Sequence, residues 1–223
     1  MHAPTAGDRR WVALLDVTGL ALLYVADWRG LVPLNDTPWL VLLGWLSLRL
    51  RGLRWRDIGL ARYRSWARTL LVGTVCGVVI ETFQLLVCQP VVARLFGAEP
   101  DLSSFHELAG NLKQTLIWVG ISWVLAAFGE EMAYRGYILN RVADWGGGGR
   151  WAWVAAVVMV SSLFGIDHMD QGPTGMVVEG FSGLWLALAY LGAGRNLFIP
   201  IIAHGVANTI DFVLIYLDRF PGM

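Results

Sequence analysis

The stretch TLLVGTVCGVVIETFQLLVCQPVV, Thr69 to Val92, runs for 24 residues with Glu81 as its only charged side chain. A bilayer span needs about 20 mainly apolar residues, so this segment is long enough to cross a membrane and too apolar for the surface of a soluble domain. The rest of the chain has the same character. Of its 223 residues 56% are hydrophobic and 15% charged, where soluble domains carry roughly a quarter charged. Further apolar runs lie at Trp11 to Ala26, Pro38 to Leu50, Leu112 to Phe128 continuing to about Arg141, Trp151 to Ser162, Gly175 to Leu191, and Leu197 to Leu217. At roughly 30 residues per span with its loop, the length holds about seven helices and leaves no room for a separate soluble domain. The reading is all-α: a polytopic transmembrane helical bundle of about seven spans (six to eight), forming one membrane domain over 1–223. Disordered, collagen-like and disulfide-scaffold classes are excluded by composition.

The run from Pro38 is short for a span and the run from Leu112 is long for one. Gly120, Gly129 and Gly136 are the expected places for the long run to bend or split. Gly146 to Gly149 reads as a turn between helices. Trp11, Trp28, Trp39, Trp66, Trp145 and Trp151 stand at segment ends, where indole suits the headgroup level. The first run follows Arg9 and Arg10 as a secretory signal would. Asp16 and the lack of a small-x-small cleavage site predict a retained span instead.

Net charge is zero, from 17 basic and 17 acidic residues, so nucleic acid is set aside as a partner. Seven arginines fall between Arg49 and Arg68. They place that connection, and the N-terminus with it, on the cytoplasmic side. Within it, Trp55 to Trp66 is expected to be either an amphipathic surface helix or a solvated loop. Lys113 is the only lysine, and this bias toward arginine points to a GC-rich microbial genome and hence to the cytoplasmic membrane of a prokaryote. Cys76 and Cys88 are about 18 Å apart along a helix, too far for a disulfide.

The informative residues are those that lipid excludes. Asp16, Glu81, Glu130, Glu131, Arg135, His168, Glu179, His204, Asn208 and Asp211 lie in or beside the apolar runs. An ionised side chain at midplane costs about 2.5–3.5 kcal/mol or more, so each needs a partner or water. In FGEEMAYRGY, Phe128 to Tyr137, Glu131 and Arg135 at i and i+4 can pair on one helix face. Glu130, turned away by about 100°, is then free to face a cavity as a general base. In FGIDHMD, Phe164 and His168 have the same spacing near the end of the fifth run. In HGVAN, His204 and Asn208 share a face and can donate to a common point, as an oxyanion site requires, or tie helices together. A carboxylate base, two imidazoles and an amide on three spans suit the activation of water. No local motif offers an activated Ser or Cys, so hydrolysis by water is the economical reaction class.

This ordered set, Glu130-Glu131-x-x-x-Arg135, Phe164-x-x-x-His168 and His204-x-x-x-Asn208, resembles the CPBP family of intramembrane glutamic endopeptidases. That family includes the type 2 CAAX prenyl proteases and the Abi, or bacteriocin-processing, proteins. The likeness spans a catalytic core of about 112–212, and RWRDIGL, Arg54 to Leu60, is similar to the preamble usual in that family. The resemblance implies that Glu130 and His168 polarise the attacking water, that His204 and Asn208 hold the oxyanion, and that Glu131, Arg135 and Phe164 support them. It implies no cofactor and no metal. The substrate would be a peptide or protein within the bilayer, prenylated CaaX proteins being the better-known case.

Asp167 and Asp170 flank His168 where similar proteins carry apolar residues; they either raise the imidazole pKa or mark a helix end at water. Simple alternation of spans puts Glu130 and His204 in the cytoplasmic half and His168 near the opposite surface. Two other classes fit the same residues. A zinc protease would use His168, His204 and a glutamate as ligands, although there is no H-E-x-x-H. A non-catalytic membrane scaffold, immunity protein or proton relay would use the polar residues for packing or transfer; Glu81, Glu179 and Asp211 keep that class open.

Overall fold

The computed structural model describes residues 6–33, 35–61 and 65–222. Seven helical rods account for most of them: α1 (Ala6–Trp28), α2 (Thr37–Leu50), α3 (Trp66–Phe96), α4 (Leu112–Trp145), α5 (Arg150–Ile166), α6 (Gly172–Gly192) and α7 (Phe198–Tyr216). No strand occurs among the described residues. Each rod coincides with one of the apolar runs. Five are long and apolar enough to cross a membrane, while α2 and α5, at 14 and 17 residues, are shorter.

Large apolar side chains cover the outside of the bundle, among them Leu71, Val79, Leu86, Val158 and Met159. Lipid offers no penalty for this arrangement, so helix association depends on close packing and internal polar contacts. Small residues supply the first. A Cβ at Gly77 would strike the Ala203 carbonyl, and one at Gly73 would come within 2.7 Å of Ile202, so α3 and α7 meet backbone to backbone. Gly165 and Gly183 likewise bring α5 and α6 together. The main core joins α2, α4, α5 and α6 through Leu40, Tyr134, Tyr137, Val160, Phe164 and Tyr190.

The long run does not break at its glycines. Residues 112–145 form one helix, started by Asn111, whose Oδ1 accepts from the Gln114 amide at 3.2 Å. It widens to i→i+5 hydrogen bonding over Ser122–Ile138, a form found often at functional sites. Gly129 and Gly136 serve packing instead: a Cβ at Gly129 would come within 2.7 Å of the Thr37 side chain, and one at Gly136 within 3.1 Å of Leu197. A shorter widened turn at Gln84–Cys88 in α3 precedes Pro90, which has no N–H for the carbonyl four residues back.

Helix ends gather at two poles. At one, Tyr190 Oη donates to the Ile58 carbonyl at 2.8 Å, the Leu197 amide to the Gly59 carbonyl at 3.0 Å and Asn196 Nδ2 to the Ala61 carbonyl at 3.1 Å. The arginine-rich connection is therefore a docked loop. Trp55–Ile58 makes a single short turn and Gly59 turns left-handed at φ 117°, so an amphipathic helix starting at Trp55 is corrected; positions 62–64 lie outside the described residues. At the other pole the Asp101 amide donates to the Gln171 carbonyl, the Gly110 amide to the Tyr216 carbonyl, and Gln89 Nε2 to the Pro221 carbonyl.

Asp16 explains its own interruption of the first apolar run. It is buried, ion-paired with Arg51, and accepts from Tyr137 Oη at 2.8 Å. One carboxylate thereby ties α1 to α4 and to the end of α2.

Candidate active site

Glu131 lies at the centre of the bundle with no solvent exposure. Its Oε1 accepts from Arg135 Nη1 at 2.7 Å and lies 3.0 Å from His204 Nδ1. A carboxylate only accepts, so the His204 Nδ1 hydrogen points at Glu131 and Nε2 is left for another partner. Arg135 is equally buried; its Nη2 donates to the Gly183 carbonyl at 2.9 Å, which ties α4 to α6. These hydrogen bonds offset the desolvation of the buried pair, and Glu131 Oε2 and Arg135 Nε are left without a protein partner.

Phe164 is the hub that brings α5 in. The Arg135 guanidinium lies 4.6 Å over its ring, Tyr134 meets it edge-on at 5.0 Å, and the rings of His168 and His204 lie 4.9 and 6.1 Å away. His168 Nδ1 is 2.8 Å from the Phe164 carbonyl. The carbonyl fixes Nδ1 as the protonated nitrogen and leaves Nε2 as the free position of the ring. His168 thus stands beside His204 rather than at the far surface, which corrects the depth expected from simple alternation. At 17 residues α5 reaches only about 26 Å.

Glu130 is turned away from the Glu131–Arg135 pair, and its buried Oε2 has no protein partner. It lies within electrostatic reach of His168. Burial disfavours the charged form of His168, but the carboxylates of Glu179, Glu130 and Asp167 and the Phe164 carbonyl outweigh it and raise the imidazole pKa. Asp167 itself is pushed up to about 8, by burial first and then by Asp36. Asp36 is pushed up to about 6, again by burial first and then by the carboxylates of Asp27 and Glu130. Asp167 accepts from Tyr24 Oη at 3.4 Å, and Tyr24 Oη lies 3.1 Å from Tyr134 Oη. Asp170 is exposed at the helix end.

Asn208 follows His204 by one turn of α7, and its Nδ2 donates to Ser122 Oγ at 2.9 Å. His204 and Asn208 thus share a helix face without sharing a protein partner. Trp123 packs flat against Gly205, where a Cβ would come within 2.6 Å of the indole, and its Nε1 donates to Thr209 at 3.1 Å. These contacts set the spacing of α4 and α7. Ser122, the Gly183 carbonyl, Tyr24 and Asp36 carry no motif signal in the sequence. Among the described residues no group of three or more His, Cys, Asp or Glu side chains is placed to hold a metal ion.

A family model described as type II CAAX prenyl endopeptidase Rce1-like matches residues 112–210. That segment belongs to the Rce1-like family. The match begins at the first residue of α4 and ends inside α7, so it contains Glu131, Arg135, Phe164, His168 and His204 together with Glu130 and Asn208. Over that segment the chain is similar to CAAX-type endopeptidases, and its apolar helices make it an integral membrane protein. No curated protein and no solved structure matches the chain. α1, α2 and α3 lie outside the Rce1-like segment, although Asp16, Tyr24 and Asp36 reach residues within it or beside His168.

Proposed function

We propose that the chain cleaves a peptide bond inside the membrane with a water molecule activated by Glu130 and His168. Glu130 Oε2 accepts a hydrogen bond from that water, and His168 Nε2 is its second hydrogen-bonding partner. The water oxygen attacks the carbonyl carbon while its proton passes to this pair and then to the departing amine. His204, protonated on both ring nitrogens beside the Glu131 carboxylate, donates from Nε2 to the oxyanion together with the second amide hydrogen of Asn208. Glu131, held by Arg135, stabilises His204 as a donor, and Phe164 fixes the distance between the two imidazoles. No covalent intermediate and no metal is required. The single domain lies with its N-terminus and the Arg49–Arg68 connection on the cytoplasmic side of a prokaryotic membrane, and its substrate is a peptide or protein, with prenylated CaaX termini to be tried first.

The observation that carries this reading is the different pairing of adjacent acids: Glu131 Oε1 is held by Arg135 and His204, whereas no side chain among the described residues pairs with Glu130, whose buried Oε2 has no protein donor. Buried acceptors of this kind call for a water. The test is mass spectrometry of peptides incubated with the reconstituted protein, farnesylated and unmodified CaaX sequences side by side. Glu130→Gln is expected to lower kcat/KM by about 10²–10⁴ while the protein remains folded. Full retention of cleavage in that variant would refute the mechanism, and loss of a biological effect without any proteolytic product would favour a non-catalytic role.

A further inference from the structure

The two side chains of α7 assigned to the oxyanion are each tied to α4 by one hydrogen bond. His204 Nδ1 lies 3.0 Å from Glu131 Oε1, and Asn208 Nδ2 donates to Ser122 Oγ at 2.9 Å. Glu131 belongs to a sequence motif and Ser122 does not. Ser122 carries the only hydroxyl between Thr115 and Glu130. It is 6% exposed and opens the widened stretch Ser122–Ile138, which also holds Glu130, Glu131 and Arg135. A serine inside a helix commonly turns its hydroxyl back to the carbonyl four residues earlier. Here the oxygen accepts from a residue 86 positions away, so the contact crosses between helices.

The chemistry of the asparagine amide says what that contact can do. Its terminal torsion has no sharp staggered minima, and an unheld amide spreads its two N–H groups over a wide range of directions. With one N–H engaged by Ser122, the second is fixed in the amide plane and remains able to donate. An oxyanion donor is effective because it is aimed before the charge develops. Ser122 thus stands to the Asn208 amide as Glu131 stands to the His204 ring.

The backbone of α7 does not depend on this bond for its position. Trp123 Nε1 donates to Thr209 Oγ1 at 3.1 Å, Thr209 Oγ1 donates to the Gly205 carbonyl at 2.6 Å, and the Trp123 ring leaves no room for a Cβ at Gly205. Glu131 holds His204 one turn earlier. The turn from His204 to Thr209 is therefore located from both sides of Asn208, and loss of the Ser122 hydroxyl frees the amide alone.

Resting on the protease reading above, we propose that Ser122 is a positioning residue for the reaction: its oxygen aims the second N–H of Asn208 at the oxyanion, acting through Asn208 rather than on the substrate.

The test is a double-mutant cycle in the full-length protein in vesicles, on a CaaX peptide that the unaltered protein cleaves. Asn208→Ala removes the donor and is expected to lower kcat by about 10²–10³. Ser122→Ala leaves the donor present but unaimed, and is expected to lower kcat by about tenfold or more while KM changes by less than about twofold. In the double variant there is no amide left to aim, so kcat is expected to match that of Asn208→Ala. Ser122→Cys, a weaker acceptor, is expected to fall between the serine and alanine forms, and it takes the place of Ser122→Ala in the cycle if that variant does not fold. An unchanged kcat in Ser122→Ala, or a double variant that loses the product of the two single effects, overturns the assignment and leaves the protease reading standing. If the unaltered protein cleaves no peptide, the protease reading fails and the assignment of Ser122 falls with it.

Discussion

α1 and α7 are both apolar helices of span length, yet only 11% of the apolar window of α1 is buried inside the protein against 56% for α7. α1 reaches the interior through the polar groups of Asp16 and Tyr24 and through Leu20 and Leu23. α7 carries His204, Asn208 and Asp211 and packs Ile202, Ala203 and Val206 against the glycines of α3. Apolar content therefore says that a helix lies in lipid, and the placement of polar and small residues says how deeply it is held by its neighbours.

The sharpest way to break this contrast is Arg135→Met. It leaves Glu131 as an uncompensated buried charge, and a loss of about 3–5 kcal/mol is expected in detergent unfolding; a loss below about 1 kcal/mol would show that the pair does not organise the centre. Next comes Gly77→Val, which forces α3 away from the Ala203 backbone. Overpacking of this kind costs about 1–3 kcal/mol, read as a lower thermal midpoint. A pH series sharpens the picture at the mouth near His168. Asp167 and Asp36 titrate at about 8 and about 6 against an ordinary 3.8. Raised carboxyl values mean that the fold gains from keeping these groups neutral: the contribution is complete below about pH 4 and declines as pH rises toward 8. Asp167→Asn is expected to flatten that decline, and an unchanged slope would contradict it. The smallest effect belongs to Leu22→Ala on the lipid face of α1, within about 0.5 kcal/mol; a larger change would mean that α1 is covered by another chain.

Much of this was legible from residue order. Apolar runs marked every rod to within a few residues, and Glu131–Arg135 followed from i,i+4 spacing alone. What could not be read depended on tertiary fit. Gly129 and Gly136 look like hinges until Thr37 and Leu197 are seen to occupy the space a side chain would need. The widened hydrogen bonding of α4 has no pattern of its own, because it repeats neither 3.6 nor 2. The meeting of His168 and His204 around Phe164 was also unreadable, because it depends on how α5 and α7 pack. One amide hydrogen of Asn208 goes to Ser122, which no motif marks. The positions of the site residues along the chain were readable, whereas their partners across helices were not.

Asp16 has a consequence for biogenesis. Arg51 and Tyr137, which neutralise and hydrogen-bond it, leave the ribosome 35 and 121 residues after it. Until Arg51 arrives, the nascent first helix carries a naked carboxyl whose insertion costs about 2.5–3.5 kcal/mol. The leading pair of helices is thus favoured to enter the bilayer together, closed by its own ion pair, and the later arrival of Tyr137 locks that hairpin onto the helix bearing Glu130 and Glu131.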